Sequence, residues 1–249
     1  MIIKHLYPLI SCICITKNRP AFLIRAVINF DLQNYPEREL VISYPKDDLV
    51  SKNLIIDLKK FSKIKILAVE REPDISIGKA RNQAIKKCTG EYICTWDDDD
   101  WHRDLRLMYQ FTILRTVSQK REACILPKIV LYDNLNSLAC YSDSYSWEGT
   151  ILCKKELVID CPYSDCNREE GAKLIEYLAS NKYLHYFENY NLFAHIYHGT
   201  NIHSYDEYLR FFNNRPLLDP ESKYYLVSQI KSHDDFVSNW LFPKYQPNE

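Results

Sequence analysis

Four consecutive aspartates, Asp97, Asp98, Asp99 and Asp100, stand between Trp96 and Trp101, directly after the apolar run Tyr92-Ile93-Cys94-Thr95. Gathering like charges this closely is unfavourable. At ~4 Å two of them repel by about 1 kcal/mol even in bulk water, and by more near a protein surface. A solvated loop tolerates such a run, so composition alone leaves two readings open. Position separates them. The run follows a buried-looking strand, and in open α/β sheets ligands bind in the crevice beyond the carboxyl ends of the strands. A hard divalent cation would be held there by oxygen ligands, with positions left open for phosphate oxygens.

The elements needed to position this cluster are legible in the pattern. Residues 9–15 read as a buried strand, Asn18-Arg19-Pro20 breaks it, and Pro20 suits the first turn of a helix to about residue 32. A strand at 40–43, a helix at 49–61 and a strand at 65–69 follow. Ile77, Ala80, Ala84, Ile85 and Cys88 fall at helical spacing, with Gly90 placed to end that helix. Residues 92–95 form the fourth strand, and Leu107, Met108, Phe111, Leu114 and Val117 mark the next helix. This alternation predicts a mostly parallel sheet flanked by helices. Beyond residue 120 it weakens: strands are expected near 124–131, 149–153, 184–187 and 192–197, and helices near 168–179, 204–212 and 222–231. No repeat or Gly/Ser/Pro-rich linker divides the chain. The expectation is one α/β domain over 1–249, closed by a C-terminal helical extension.

Composition narrows the function. A net charge of −1 gives no field to draw the chain onto nucleic acid or an anionic membrane. Only 5 glycines are present and no P-loop occurs. The start, MIIKHLYPLISCICI, lacks a small-residue cleavage site and reads as a first strand rather than a secretory signal. No stretch approaches the ~20 apolar residues that span a bilayer. Cysteines 12, 14, 94, 124 and 153 sit inside apolar runs, as free thiols do in a reducing compartment, so a cytoplasmic location is expected. Cys161 and Cys166 share a loop but lack the second pair a zinc site needs.

Five segments in order resemble the family 2 glycosyltransferases, which have the GT-A (Rossmann-like) fold. They are Thr16-Lys17-Asn18-Arg19, Gly78-Lys79-Ala80-Arg81-Asn82, the strand Gly90-Glu91-Tyr92-Ile93 with its aspartates, Trp147-Glu148-Gly149-Thr150, and Arg168-Glu169-Glu170. Together they cover about 10–200. The resemblance implies an inverting transferase that takes a sugar from a UDP-sugar donor to a carbohydrate or glycoconjugate hydroxyl, with Mn²⁺ or Mg²⁺. Residues 1–120 would bind the nucleotide-sugar and 121–249 the acceptor. A sugar nucleotidyltransferase or a non-catalytic nucleotide-sugar-binding module are the alternatives, the first lacking its usual N-terminal Gly-rich loop.

The resemblance also implies roles. Thr16, Asn18 and Arg19 would border the nucleoside, although the same residues serve as ordinary turn chemistry before a helix. The family's Asp after the second strand is missing; Tyr44 would stack on the base and Asp48 (or Asp47) take the carboxylate role. Arg81 would bind diphosphate, where a fixed guanidinium fork suits phosphate oxygens. Asp99 is the first metal ligand, joined by Asp100; Asp97 contacts ribose or the metal through water, and Asp98 is the least required of the donor-site acids. Glu170 stands where the family has its catalytic Asp and is the first candidate base, with Glu169 next, against a reading in which both complement a helix dipole. Three histidines in nine residues, His195, His198 and His203, follow a strand, and His198 is the one expected to complete the metal shell.

Overall fold

The computed structural model describes residues 6–61, 63–117, 120–212 and 215–241; the first five residues of the apolar start lie outside them. Strand β1 (Ile10–Ile15) hydrogen-bonds in parallel to β2 (Arg38–Pro45) on one side. On its other side it pairs, again in parallel, with β4 (Tyr92–Thr95). Strand β3 (Ile66–Arg71) extends the sheet beyond β2. Because β1 is central and covered on both faces, it reads as a nearly continuous apolar run. Cys12 and Cys14 pack on one face with Leu23 and Phe30, and Ile13 packs on the other with Ala84 and Ile85. Helices α1 (Pro20–Asp31), α2 (Leu49–Phe61) and α3 (Ile77–Lys87) are the crossovers that parallel strands require.

The sheet has seven strands in the order β10-β6-β9-β4-β1-β2-β3. Three of them come from beyond residue 120: β6 (Ala123–Ile125), β9 (Leu152–Lys154) and β10 (Leu184–Tyr186). Only β9 runs antiparallel to its neighbours, β4 and β6. The expected α/β architecture, mostly parallel and flanked by helices, is therefore the one observed.

A second sheet of four strands was not foreseen. Its order is β5 (Trp101–His102), β11 (Phe193–Tyr197), β7 (Val130–Asp133) and β8 (Leu138–Tyr141). The strand expected at 124–131 is two strands in two sheets, divided at Pro127, which has no N–H to continue a ladder. The helix after Arg168 begins only at Ala172 (α6, Ala172–Ser180), and a short helix α5 (Lys155–Asp160) precedes it. Helix α4 (Arg106–Thr116) follows β5, while α7 (Tyr205–Phe212) and α8 (Pro220–Leu241) form the C-terminal extension. Helix α8 is about twice its expected length, and an Arg25–Asp234 ion pair of 3.1 Å joins it to α1.

Gly90 does not end α3, which stops at Lys87 with Cys88 extended. Its small size serves a close approach instead: a Cβ there would lie 2.4 Å from Ser11 Oγ and 2.8 Å from Leu9 O. Gly78, in the first turn of α3, is tighter still, with a Cβ falling 1.8 Å from the Ser164 carbonyl oxygen. That contact, with the Gly78 N–H donated to Cys166 O at 3.1 Å, seats the 164–170 loop on α3. Gly78→Ala should cost about 1–3 kcal/mol of stability by overpacking, read as a lower urea midpoint; an unchanged midpoint would show the loop free to retreat.

Candidate active site

The register of the central strands brings the separate motifs together. Ile13 pairs with Thr95 across β1 and β4, and the Trp96 N–H is donated to Ile13 O at 3.0 Å. The chain leaves both strands at the same level, so the Thr16–Arg19 turn and the four aspartates emerge side by side. Asn18 makes that turn with a left-handed φ of 53°, which Asn tolerates better than most residues. Trp96 is fully buried under the cluster, donating Nε1–H to Ala26 O at 3.1 Å and stacking on His102 at 3.8 Å. Arg106, also fully buried, donates to Gln110 Oε1 and to Gly149 O, both at 3.0 Å.

Each aspartate has a side-chain partner, and Arg19 serves two of them. Asp98 accepts from Thr16 Oγ1 at 2.7 Å and from Arg19 Nη1 at 2.9 Å. Asp99 Oδ2 accepts from Arg19 Nη2 at 2.8 Å and lies 3.1 Å from His198 Nε2. Asp100 Oδ1 lies 2.8 Å from His195 Nδ1 and accepts from the Ile196 N–H at 3.2 Å. Asp97 accepts from Arg81 Nη2 at 2.7 Å. Burial and the adjacent Asp99 charge push the Asp98 carboxyl up, against Arg19. Burial acts the same way on Asp99, but the His198 contact and Arg19 overcome it and hold that carboxyl well below the usual range. Burial disfavours charge on His195 too, yet the Asp100 carboxylate lifts it to about 9.

A second charged group adjoins the first. Arg81, 7% exposed at its side chain, bridges Asp97 to Glu170, whose Oε1 accepts from Nε at 3.0 Å. Among the described residues, neither its buried Nη1 nor the buried Glu148 Oε1 has a hydrogen-bond partner. Glu148 packs against Gly171, where a Cβ would meet its Oε1 at 2.4 Å. Burial, reinforced by the charge of Glu170, pushes the Glu148 carboxyl up to about 7. These groups line one cavity of about 1140 Å³ together with Arg19, all four aspartates and His195.

Several expectations change. Tyr44 does not line the cavity: it is 4% exposed within the core and hydrogen-bonds Glu70 at 3.1 Å. Asp48 does not line it either; its carboxylate accepts the Asn18 N–H at 2.6 Å and the Ser51 N–H at 2.9 Å, tying the first turn to the start of α2. Asp98, read as least required, is the most enclosed of the run at 2% exposure and anchors both Thr16 and Arg19. Arg81 keeps only Nη1 for a phosphate oxygen. Glu169 lies on the cavity wall, exposed and with a left-handed φ of 53°, and Glu170 is buried; both precede α6 rather than opening it. Sequence reasoning gave no role to Glu148 or Arg106. For Glu148 the signal was its place in the fourth motif, and for Arg106 there was none.

The side chains around the aspartates supply part of a divalent-cation donor set. Among the described residues no three His, Cys, Asp or Glu side chains are grouped to hold a metal ion. Two are: Asp99 Oδ2 and His198 Nε2 converge on one point, a carboxylate and an imidazole suited to Mn²⁺, and Arg19 Nη2 stands at that point.

Residues 11–127 match the profile of glycosyl transferase family 2. This stretch, just under half of the chain, is similar to that family. The amylovoran biosynthesis glycosyltransferase AmsB of Erwinia amylovora is 26% identical over 106 residues, which are 42% of this chain and 34% of that protein. The match thus spans about a third of that relative. Among solved structures, S. aureus TarS 1–349 in complex with UDP-GlcNAc superposes with a TM-score of 0.62 at 15% identity, covering 95% of this chain and 76% of that one. The mannosyltransferase PcManGT of Pyrobaculum calidifontis, in complex with GDP-Man and Mn²⁺, gives 0.60 at 11% identity over 97% and 77%. At these identities the structures establish the GT-A fold, and the family motifs are what the cavity gathers.

The raised Glu148 carboxyl has a pH consequence. A folded-state value of about 7 against an ordinary 4.5 means its neutral form is favoured in the fold. The associated stability is complete below about 4.5 and is lost as pH rises through about 7. Glu148→Gln should therefore melt at a temperature close to wild type at pH 4, and above it at pH 8. A constant difference across that range would remove Glu148 from the pH dependence.

Proposed function

We propose that the chain is an inverting, metal-dependent glycosyltransferase that moves a sugar from a UDP-sugar to a carbohydrate or glycoconjugate hydroxyl. One observation carries this reading: a single cavity at the carboxyl ends of β1 and β4 holds the four aspartates, Arg81 and Glu170 together. Those groups suit the two ends of one displacement. As the acceptor oxygen bonds to the anomeric carbon, the bond to the donor diphosphate breaks, and the acceptor proton passes to a carboxylate. Glu170 takes that proton, with Glu169 beside it on the cavity wall. Its salt bridge to Arg81, 3.0 Å long, fixes the position of the carboxylate in the cavity.

At the donor end, Arg81 offers its unpartnered Nη1 to a diphosphate oxygen while Asp97 faces the ribose. Asp99 and His198 would hold Mn²⁺ or Mg²⁺, with Asp100 and its partner His195 behind them; such an ion, when bound, neutralises the departing diphosphate. Thr16 and Asn18 shape the nucleoside end through Asp98 and Asp48. Support for the donor class comes from TarS with UDP-GlcNAc and the mannosyltransferase with GDP-Man and Mn²⁺. We read the chain as one domain, 1–120 serving the donor and 121–249 the acceptor. Among the described residues no helix is long and apolar enough to cross a membrane, and all nine cysteines are free thiols, which supports a reducing, cytoplasmic setting.

Two substitutions test the two ends. Asp99→Asn removes one charge and one ligand from the crevice and should abolish Mn²⁺-dependent UDP binding in calorimetry while leaving the melting curve intact. Unchanged UDP affinity with metal present would reassign the ligand. Glu170→Gln should cut turnover by about 10²–10⁴, the range of a lost general base, with donor affinity nearly constant. Glu170→Asp should keep more activity than Gln. Near-normal turnover in the Gln variant would pass the role to Glu169, and donor binding without any turnover in wild type would favour a binding module.

A further inference from the structure

Arg19 stands inside the group of side chains read above as the cation site. Its Nη1 is 2.9 Å from Asp98 Oδ1, and its Nη2 is 2.8 Å from Asp99 Oδ2 and 3.0 Å from His198 Nε2. Its guanidinium also lies 4.3 Å over the Phe22 ring, which packs against the His198 ring at 4.5 Å. The arrangement at Nε2 is frustrated. A guanidinium only donates and an ionised carboxylate only accepts. Nε2 lies between the two, 3.0 Å from Arg19 and 3.1 Å from Asp99. With its proton it satisfies Asp99 and opposes Arg19; without it, it accepts from Arg19 and opposes the carboxylate. No tautomer satisfies both neighbours.

A divalent ion at the Nη2 position would remove the conflict, since it attracts the carboxylate lone pair and the imidazole lone pair at once. On the other side of the ring, Nδ1 accepts from the Thr200 N–H at 3.3 Å and lies 2.9 Å from Thr200 Oγ1, a hydroxyl that can donate or accept. Presenting the Nε2 lone pair to an ion gives up the longer contact and keeps the hydroxyl as acceptor. We propose that Arg19 is a displaceable placeholder in the acidic motif, competing with the divalent ion for one position between Asp99 and His198 and leaving it when the ion binds. This rests on the metal-dependent reading of the site. In the ion-free protein the guanidinium neutralises Asp98 and Asp99 and keeps the crevice from collapsing or repelling itself. Displaced, it remains on the wall of the same cavity, where its fork is suited to the oxygens of a diphosphate. The two cations therefore act in turn on the same negative charges.

Competition makes the affinity of the ion-free protein for metal lower than the ligands alone would give, in proportion to the time Arg19 holds the position. The test is a Mn²⁺ titration followed by electron paramagnetic resonance, on the full chain and without nucleotide. Arg19→Gln should bind Mn²⁺ about tenfold more tightly than wild type, Arg19→Lys should bind more nearly as wild type does, and Asp99→Asn should abolish binding in either background. In wild type labelled with ¹⁵N-arginine, adding Mg²⁺ should move the Arg19 side-chain resonance, a readout that does not depend on the variants folding. Equal or weaker Mn²⁺ binding by Arg19→Gln, with the Asp99 dependence intact, would overturn the placeholder role and leave the metal reading standing. Absence of Mn²⁺ binding in wild type and Arg19→Gln alike would overturn both. An Arg19 resonance unmoved by saturating Mg²⁺ would also end the proposal.

Discussion

Every other feature of the site depends on the cost of crowding four adjacent carboxylates, two of them buried, where two parallel strands end. The cluster is not left to solvent: Asp98 and Asp100 are 2% and 3% exposed. Burial without partners would force such groups to neutralise. The fold instead brings a cation or a donor to each one from a distant part of the chain: Arg19 and Thr16 from the end of β1, Arg81 from α3, His195 from β11 and His198 just beyond it. The charge that makes the motif useful to a phosphate-bearing ligand is thus the same charge that knits the two sheets together.

That requirement accounts for the second sheet. Strand β5 is only two residues long, yet it carries the chain straight from Asp100 into an antiparallel pairing with β11. The pairing sets His195 against Asp100. Beneath it, Trp96, His102 and Arg106 stack as a buried floor, and Arg106 holds the Gly149 carbonyl that presents Glu148 to the cavity. A buried arginine with carbonyl, amide and imidazole partners keeps the 148–150 turn in place without adding a carboxylate to a crowded region.

The sequence was most legible where the information is local. Apolar runs, Pro20 at the head of α1 and the helical spacing of Ile77 to Cys88 place the first half of the fold within a residue or two. It was least legible where pairing partners decide. Tyr44 looked like a loop residue because the apolar run ends near Ser43, but the pairings Tyr44 with Glu70 and Pro45 with Arg71 carry β2 onward and bury the ring. Pro127 was the signal that 124–131 is two strands, overridden by the hydrophobicity on either side. The site acids were readable from the motifs; their partners were not, since Arg19 and Asp98 are 79 residues apart and Arg81 and Glu170 are 89 apart. Glu148 was signalled only by its place in the fourth motif, and Arg106 became visible only through its buried contacts with Gln110 and the Gly149 carbonyl.

Strand β9 bears on how such a chain can be taken apart. It comes from the half beyond residue 120, yet it lies between β4 and β6 and pairs with both. A cut between the two halves would strip β4, the strand that delivers the aspartates, of its neighbour and leave an open edge prone to mispairing. The same cut would separate Arg81 from Glu170. The two halves are therefore not interchangeable cassettes: a chimera that exchanges one of them has to carry β9 together with the neighbours it pairs with.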